Sequence, residues 1–182
     1  KEDFKRVNVK KLDIPDVLLI KPKQFKDERG FFYESYNKKE FDSAVGKDIT
    51  FVQDNFSYSK YGVLRGIHLQ NKPFSQGKLV RVTRGEVFEV AVDLRENSPF
   101  YLKWVSAVLS EENRNQLWIP EGFGHGFLTL SEEAHFNYKT TAFYDKSSER
   151  TILWNDPKIN IDWPKIKEIK ISDKDALGEN IG

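Results

Sequence analysis

The chain of 182 residues contains no cysteine and no methionine. The absence of cysteine excludes disulfides, thiolate nucleophiles and zinc–thiolate sites, and it fits the reducing cytoplasm. No apolar run approaches the ~20 residues that span a bilayer, so we expect no membrane partner. The charged segment 1–13 lacks the apolar core of a signal peptide. Because the first residue is not Met, we expect a few residues to precede it.

An excess of charge of one sign is also missing. Lys and Arg number 29 and Asp and Glu number 28, so the formal net charge is +1. This balance gives no overall field that would attract nucleic acid, and an anionic ligand would need a local cluster of cations. Hydrophobic residues make up 38% and charged residues 31%, which is typical of one globular domain. We predict a single domain over residues 1–182.

Aromatic residues are abundant, with fourteen Phe and seven Tyr, and they favour β structure. The clearest strands are Lys78–Thr83 and Glu86–Leu94, joined by a tight turn at Gly85. Alternation in the second strand puts Glu89, Ala91 and Asp93 on the face opposite Phe88, Val90, Val92 and Leu94. Further strands are predicted at Val17–Ile20, Phe31–Tyr36, Thr50–Gln53, Val63–Gln70, Lys103–Leu109, Gln116–Ile119, Gly126–Leu130 and Phe136–Tyr144.

Helical signals are few. The sequence predicts a short helix at Lys38–Val45 that ends near Gly46, a single turn at Ser110–Asn113, and another short helix at Ser172–Leu177. Many short strands with few helices, and no repeat of solenoid or propeller period, indicate an all-β fold. A double-sheet jelly roll is the natural candidate.

The three histidines are His68, His125 and His135, and none belongs to a metal-binding motif. A transition metal generally needs three or four suitable ligands, so this pattern argues against a metal site. His68 shares a face with Leu64 and Gln70 if alternation holds, although Gly66 could introduce a bulge. His68 is either a hydrogen-bonded residue at the edge of the core or a general base, because imidazole titrates near neutral pH.

Lys78 stands in line with the apolar residues Val80 and Val82. It either extends its ammonium group to solvent or points into a pocket, where it would bind phosphate or stabilise an oxyanion. Tyr138 and Tyr144 have the same parity as Phe136. Each is either ordinary core or a pocket residue that donates a proton or stacks on a base.

His125 lies in the segment 120–127, whose three glycines alternate with bulky residues. These glycines indicate either a tight turn or a place where the backbone approaches another group closely. Polar clusters at Arg29-Gly30 and at 53–55 also adjoin aromatic runs, and each cluster by itself is typical of a turn.

Taken together, these segments resemble the dTDP-4-dehydrorhamnose 3,5-epimerase family. The resemblance runs in order from about Ile14 to Asp175. The matching stretches are 27–34 (DERGFFYE), 51–55 (FVQDN), 63–68 (VLRGIH), 76–81 (QGKLVR), 85–88 (GEVF), 92–95 (VDLR), 118–123 (WIPEGF), 155–157 (NDP) and 172–175 (SDKD).

This resemblance implies a cupin-like jelly-roll barrel that uses no metal and no cofactor. It implies a homodimer in which N-terminal strands cross between subunits. The implied substrate is dTDP-4-dehydro-6-deoxy-D-glucose, epimerised at C3 and C5. The loop 71–75 varies in the family, and the short tail after Asp175 suggests that a C-terminal extension is missing.

The resemblance also implies roles for single residues. His68 is the base, Asp175 its carboxylate partner, Tyr138 the acid on the opposite ring face, and Lys78 the cation beside the C4 oxygen. Tyr144 stacks on thymine. The other implied substrate-binding residues are Arg29, Glu34, Gln53, Asp54, Asn55, Arg65, His125, Glu149 and Lys174. His135 receives no role.

These assignments agree with the chemistry, because a proton beside a ketone is acidic only if the enolate is stabilised, and a fixed cation does this. Two alternatives stay open. One is a 3-epimerase, or a 3,5-epimerase of another nucleotide-linked 4-keto sugar. The other is a cupin that binds a nucleotide sugar without catalysis.

Overall fold

The computed structural model describes residues 6–182, so residues 1–5 of the predicted domain and of its charged N-terminal segment lie outside the described residues. Two antiparallel sheets and a separate hairpin make up the fold. The six-stranded sheet contains, in spatial order, β1 (Val7–Lys11), β2 (Leu18–Pro22), β10 (Gln116–Ile119), β7 (Lys78–Arg84), β12 (Glu133–Thr140) and β5 (Gln53–Lys60).

The five-stranded sheet contains, in spatial order, β13 (Glu149–Thr151), β6 (Leu64–Gln70), β11 (Phe123–Thr129), β8 (Glu86–Asp93) and β9 (Trp104–Ser110). The hairpin consists of β3 (Phe25–Asp27) and β4 (Gly30–Phe32). Two short α-helices, α1 (Lys38–Val45) and α2 (Asp173–Ala176), and a 3-10 helix at Lys146–Ser148 complete the fold. This arrangement confirms the all-β, cupin-like jelly roll, with two hydrogen-bonded sheets in place of one closed barrel.

The space between the sheets holds the first core. Val80 and Val82 of the larger sheet and Ala91 and Phe127 of the smaller sheet pack there around the fully buried Phe136. A second core lies on the other face of the smaller sheet, where the C-terminal segment covers Val90 and Val92. Both faces of β8 are therefore buried, which explains why apolar residues occur on both faces of this strand.

Several predicted strands have different bounds. The predicted strand Phe136–Tyr144 begins earlier and ends at Thr140. In Phe31–Tyr36 only the first two residues are strand, because Tyr36 instead packs on the aromatic rings around α1. The predicted strand Thr50–Gln53 is wrong except at its last residue, where β5 begins. The strand β5 was not predicted because its sequence is mostly polar and has no apolar face.

Gly66 does introduce a bulge. The pairing of β11 with β6 shifts between His125 and Phe127, so that two residues of β6 oppose one glycine of β11. The expected common face of Leu64 and His68 is therefore wrong. Leu64 packs in the second core, whereas His68 turns towards the space between the sheets.

A side chain at Gly66 would collide with the facing strand. A Cβ there would lie 2.6 Å from Gly126 Cα, and the φ angle of Gly66 is +126°. The glycines on both strands therefore permit the close approach that sequence analysis left open, and the segment 123–126 is strand and not turn.

Both α-helices are capped. The Asn37 side chain accepts a hydrogen bond from Glu40 N–H at the start of α1, and Gly46 ends that helix in the left-handed region. Ser172 caps α2 by accepting from Asp175 N–H. The predicted single helical turn at 110–113 is a hydrogen-bonded turn. No helix within the described chain has the length and apolar character that crossing a membrane requires.

Candidate active site

Five strands point chemically active side chains into one end of the space between the sheets. The smaller sheet contributes His68 from β6, Glu89 from β8 and His125 from β11. The larger sheet contributes Lys78 from β7 and Tyr138 from β12. The tyrosine ring lies 6.0 Å from the His125 ring, and Lys78 Nζ lies 5.9 Å from the centroid of the same tyrosine ring.

His68 forms a close pair with Asp175 of α2, which is 107 residues away in sequence. His68 Nε2 lies 2.6 Å from Asp175 Oδ1, and Gly66 N–H donates to Asp175 Oδ2 at 3.1 Å. Burial alone would raise the pKa of Asp175, but the hydrogen bonds and the charge of His68 hold it below its usual value. The ionised carboxylate orients the imidazole, stabilises its cation and leaves Nδ1 free to accept a proton.

Lys78 is buried beside Tyr138 and does not extend its ammonium group to solvent. The residue is 6% exposed at the start of β7. Burial lowers the pKa of Lys78 to about 8. A largely protonated ammonium in a water-poor cavity is suited to stabilise a negative oxygen.

Tyr138 stands opposite the small sheet at the middle of β12. Its strand neighbour is Asn55 of β5. Burial raises the pKa of Tyr138, and a hydrogen bond with Asn55 and the charge of Arg65 oppose that shift only in part. The phenol therefore stays protonated near neutral pH and can act as an acid.

Glu89 was not predicted as a site residue. It is fully buried, and its Oε1 lies 2.8 Å from His125 Nδ1. The sequence does contain an indication of this role, because a glutamate within the otherwise apolar run Val87–Val92 needs a polar partner inside the protein.

Tyr144, Glu149 and Lys174 lie together at the mouth of the cavity. The Tyr144 hydroxyl donates to Glu149 Oε2 at 2.9 Å, and Lys174 forms an ion pair with Glu149 Oε1. The tyrosine backbone N–H donates to Gln53 Oε1 at 3.2 Å. Tyr144 is 56% exposed, so its ring is available to a planar ligand at this mouth. It borders a cleft of about 500 Å³ that reaches inward to Asn55 and Tyr138.

Gln70 is a second residue that sequence analysis did not include in the site. Its side-chain amide donates to the carbonyl oxygens of Phe74 and Phe143 and accepts from Asp145 N–H. It thereby ties the loop 71–77 to the loop that carries Tyr144. No feature of the sequence pattern distinguishes this glutamine from an ordinary strand residue.

Four predicted binding residues lie at the edge of this site or outside it. Arg65 connects the two sheets by donating to Ser59 Oγ and to the Tyr58 carbonyl. Asp54 is exposed at the rim of the cleft and pairs with Lys139. Arg29 pairs with Asp27 on the β3–β4 hairpin, with its side chain 84% exposed, and Glu34 pairs with Arg6. The subunit alone does not bring these last two into the cavity.

The arrangement can therefore remove a proton at one face of a bound ring, stabilise the resulting anion and return a proton from the other sheet. Among residues 6–182, no three His, Cys, Asp or Glu side chains are grouped as metal ligands. The jelly roll with its His–Asp pair and opposed tyrosine defines a cupin-like protein equipped for proton transfer.

Comparison with known proteins identifies the family. The family model described as dTDP-4-dehydrorhamnose 3,5-epimerase matches residues 11–181. The dTDP-4-dehydrorhamnose 3,5-epimerase of Shigella flexneri is 59% identical over 173 residues, which cover 95% of each chain. The chain belongs to the dTDP-4-dehydrorhamnose 3,5-epimerase family.

Two solved structures are informative. The dTDP-6-deoxy-D-glucose-3,5-epimerase RmlC of Legionella pneumophila, in complex with dTDP-4-keto-L-rhamnose, has a TM-score of 0.91 and 49% identity, and the match covers 94% of this chain and 91% of that one. ChmJ, a 3'-monoepimerase of Streptomyces bikiniensis in complex with dTDP-quinovose, has a TM-score of 0.86 and 30% identity, and covers 92% and 84%.

Proposed function

We propose that this protein epimerises dTDP-4-dehydro-6-deoxy-D-glucose at C3 and C5 to give dTDP-4-dehydro-L-rhamnose. The observation that carries the proposal is the placement of the His68–Asp175 pair and Tyr138 on opposite sheets, with the Lys78 ammonium group 5.9 Å from the Tyr138 ring. The names of the relatives support the same reaction.

In each half of the reaction, His68 removes the proton from the carbon beside the ketone. The electrons of the broken C–H bond form a C=C bond, and those of the C4 carbonyl move onto its oxygen. Lys78 stabilises this enolate. Tyr138 then delivers a proton to the opposite face and the carbonyl reforms. Imidazolium and phenolate return to their starting states by proton exchange with water.

The mouth of the cavity suits the nucleotide. Tyr144 offers a ring for stacking on thymine, and the cations Arg65 and Lys174 adjoin the same opening. Glu149 holds both Tyr144 and Lys174, so it organises this end of the site. A chain without cysteine that acts on a nucleotide sugar fits the cytoplasm.

The functional unit is proposed to be a homodimer in which the β3–β4 hairpin crosses to the other subunit. Phe31 and Phe32 on this hairpin are 59% and 64% exposed, which is unusual for a free surface. Arg29 is implied in substrate binding yet projects from this same hairpin. Crossing would place Arg29 at the cavity of the partner subunit.

Complementation tests this arrangement. Arg29→Ala and His68→Ala are each expected to be nearly inactive. When the two are unfolded together and refolded as a mixture, heterodimers would contain one cavity with both residues intact, and activity should reappear. If the mixture stays as inactive as its components while sedimentation shows dimers, Arg29 acts within its own subunit or not at all.

The reaction itself is tested by incubating the enzyme with dTDP-4-dehydro-6-deoxyglucose in deuterium oxide and counting labelled carbons by proton NMR. Deuterium at both C3 and C5 is expected. Label at C3 alone would support a 3-epimerase, and the similar ChmJ is a 3'-monoepimerase. Binding of the substrate without any label would support a non-catalytic nucleotide-sugar-binding protein.

A further inference from the structure

The cavity contains a second histidine–carboxylate pair, and its surroundings differ from those of His68 and Asp175. Glu89 and His125 lie on adjacent strands of the smaller sheet, with side chains 0% and 7% exposed. His68 is 29% exposed by comparison. The Glu89–His125 pair is thus the more deeply buried of the two.

The deeper pair is a neutral hydrogen bond. Glu89 Oε2 has no hydrogen-bond partner in the part of the chain described by the structure. Burying an oxygen of an ionised carboxylate without a hydrogen-bond partner costs far more free energy than burying the carbonyl oxygen of a carboxylic acid in the same way.

The charged and titratable groups around the pair do not reverse this result. They are Lys78 of β7, His68 of β6 and Tyr138 of β12. Burial raises the pKa of Glu89 well above its ordinary value, although the charge of Lys78 opposes the shift. Burial, Lys78 and His68 all lower the pKa of His125. The distance of 2.8 Å therefore joins an uncharged acid to an uncharged imidazole.

The neutral acid determines which imidazole nitrogen carries the proton. Its O–H donates to Nδ1, so the single ring proton of His125 must sit on Nε2. No protein group in the range 6–182 forms a hydrogen bond with this Nε2. The His125 ring stands 6.0 Å from the ring of Tyr138, the same ring that Lys78 approaches. The His125 ring and the Lys78 ammonium group therefore both lie beside the Tyr138 ring.

We propose that Glu89, as a carboxylic acid, is a positioning residue that holds His125 in its Nε2–H tautomer, so that His125 donates a hydrogen bond to the C4 oxygen beside Lys78. This inference rests on the proposed epimerase reaction. No proton is transferred. The bond strengthens as charge develops on the oxygen, and the enolate has two donors in place of one.

The two histidines thus have opposite tasks. Asp175 is ionised and accepts from Nε2–H of His68, which frees Nδ1 of that ring as a base. Glu89 is protonated and donates to Nδ1 of His125, which makes its Nε2–H a hydrogen-bond donor. The two histidine–carboxylate pairs are chemically alike, but their different environments give one histidine the role of a base and the other the role of a hydrogen-bond donor.

Nitrogen-15 NMR of the histidine rings tests the tautomer in the unmodified enzyme without substrate. Three histidines give three ring systems, and His135→Asn assigns the one on the outer face of β12. His125 is expected to show Nε2–H and no titration between about pH 6 and pH 9, because its pKa is lowered by burial. An Nδ1–H tautomer or an imidazolium form of His125 would overturn the proposal.

Two substitutions of Glu89 test the effect on rate. Glu89→Leu removes the donor to Nδ1, and kcat is expected to fall about 10²-fold with a smaller change in KM. Glu89→Gln can donate to Nδ1 through its amide, so it should recover kcat at least about tenfold relative to Glu89→Leu. Equal loss in both variants, each with unaltered thermal unfolding, would contradict the positioning role.

The outcomes separate this inference from the reaction on which it rests. If the unmodified enzyme incorporates no deuterium at C3 or C5, the proposed function fails whatever the tautomer. If it incorporates deuterium but His125 carries its proton on Nδ1, only the role of Glu89 fails.

Discussion

Replacing Lys78 by Met should make the protein more stable and nearly inactive. Methionine is similar in length and suits a buried site. The Lys78 pKa of about 8, against an ordinary value of 10.5, means that burial disfavours the ammonium form. With 1.36 kcal/mol for each pKa unit, burial of the charge costs on the order of 3 kcal/mol at neutral pH. Since Glu89 is proposed to be a neutral acid, removing the ammonium should leave no unpaired charge beside it.

The effect must depend on pH in a defined direction. Below about pH 8 both folded and unfolded chains hold a charged Lys78, and the full cost is present. Between pH 8 and pH 10.5 the unfolded chain binds more protons at this site than the folded chain. The wild type therefore gains stability relative to the variant as the pH rises through this range, and the difference disappears above it.

Urea unfolding at equal subunit concentration, at about pH 6 and about pH 10, measures this difference. We expect Lys78→Met to be more stable by roughly 1–3 kcal/mol at the lower pH and close to the wild type at the higher pH. Lys60→Met, on the exposed face of β5, is the control and should change stability by less than about 0.5 kcal/mol. A destabilised Lys78→Met at the lower pH would refute the burial of an unfavourable charge.

Three further results are expected. First, kcat/KM should decline as the pH rises through about 8, because Lys78 loses its charge. Lys78→Arg should move this decline to higher pH. A pH profile unchanged by that substitution would show that another group causes the decline. Second, steady-state kinetics should show that Asp175→Asn lowers kcat by about 10³-fold or more with little change in KM. Near-normal turnover in this variant would contradict the role of Asp175 as the partner of His68. Third, Tyr144→Ala should raise KM about 10- to 100-fold while Tyr144→Phe stays near wild type, since the ring and not the hydroxyl stacks on thymine; a large loss of kcat at unchanged KM would contradict stacking.

Residue alternation was enough to locate most of the smaller sheet, because its strands are apolar and bounded by turns. It failed at β5, whose residues Gln53 and Asn55 line the cleft beside Tyr144 and do not face the core. It also failed at Gly66, where one extra residue moves His68 to the opposite face from Leu64. A polar inner face and a bulge both break the two-residue period on which the prediction depends.

The site was predictable only in part from chemistry. Lys78 in line with valines left both a pocket and solvent open. Nothing in sequence spacing joins His68 to a carboxylate 107 residues later. That pairing came from family resemblance, and the structure places the two side chains together. Glu89 was not predicted, although a carboxylate within an apolar strand needs a polar partner inside the protein.

The most direct test of the central claim uses His68→Asn, which cannot act as a base at neutral pH. The substrate is incubated with this variant in deuterium oxide, while calorimetry measures its affinity for dTDP. The account predicts that exchange at both C3 and C5 stops and that dTDP binding stays within a few-fold of the wild type. Continued exchange at either carbon would show that another group removes that proton.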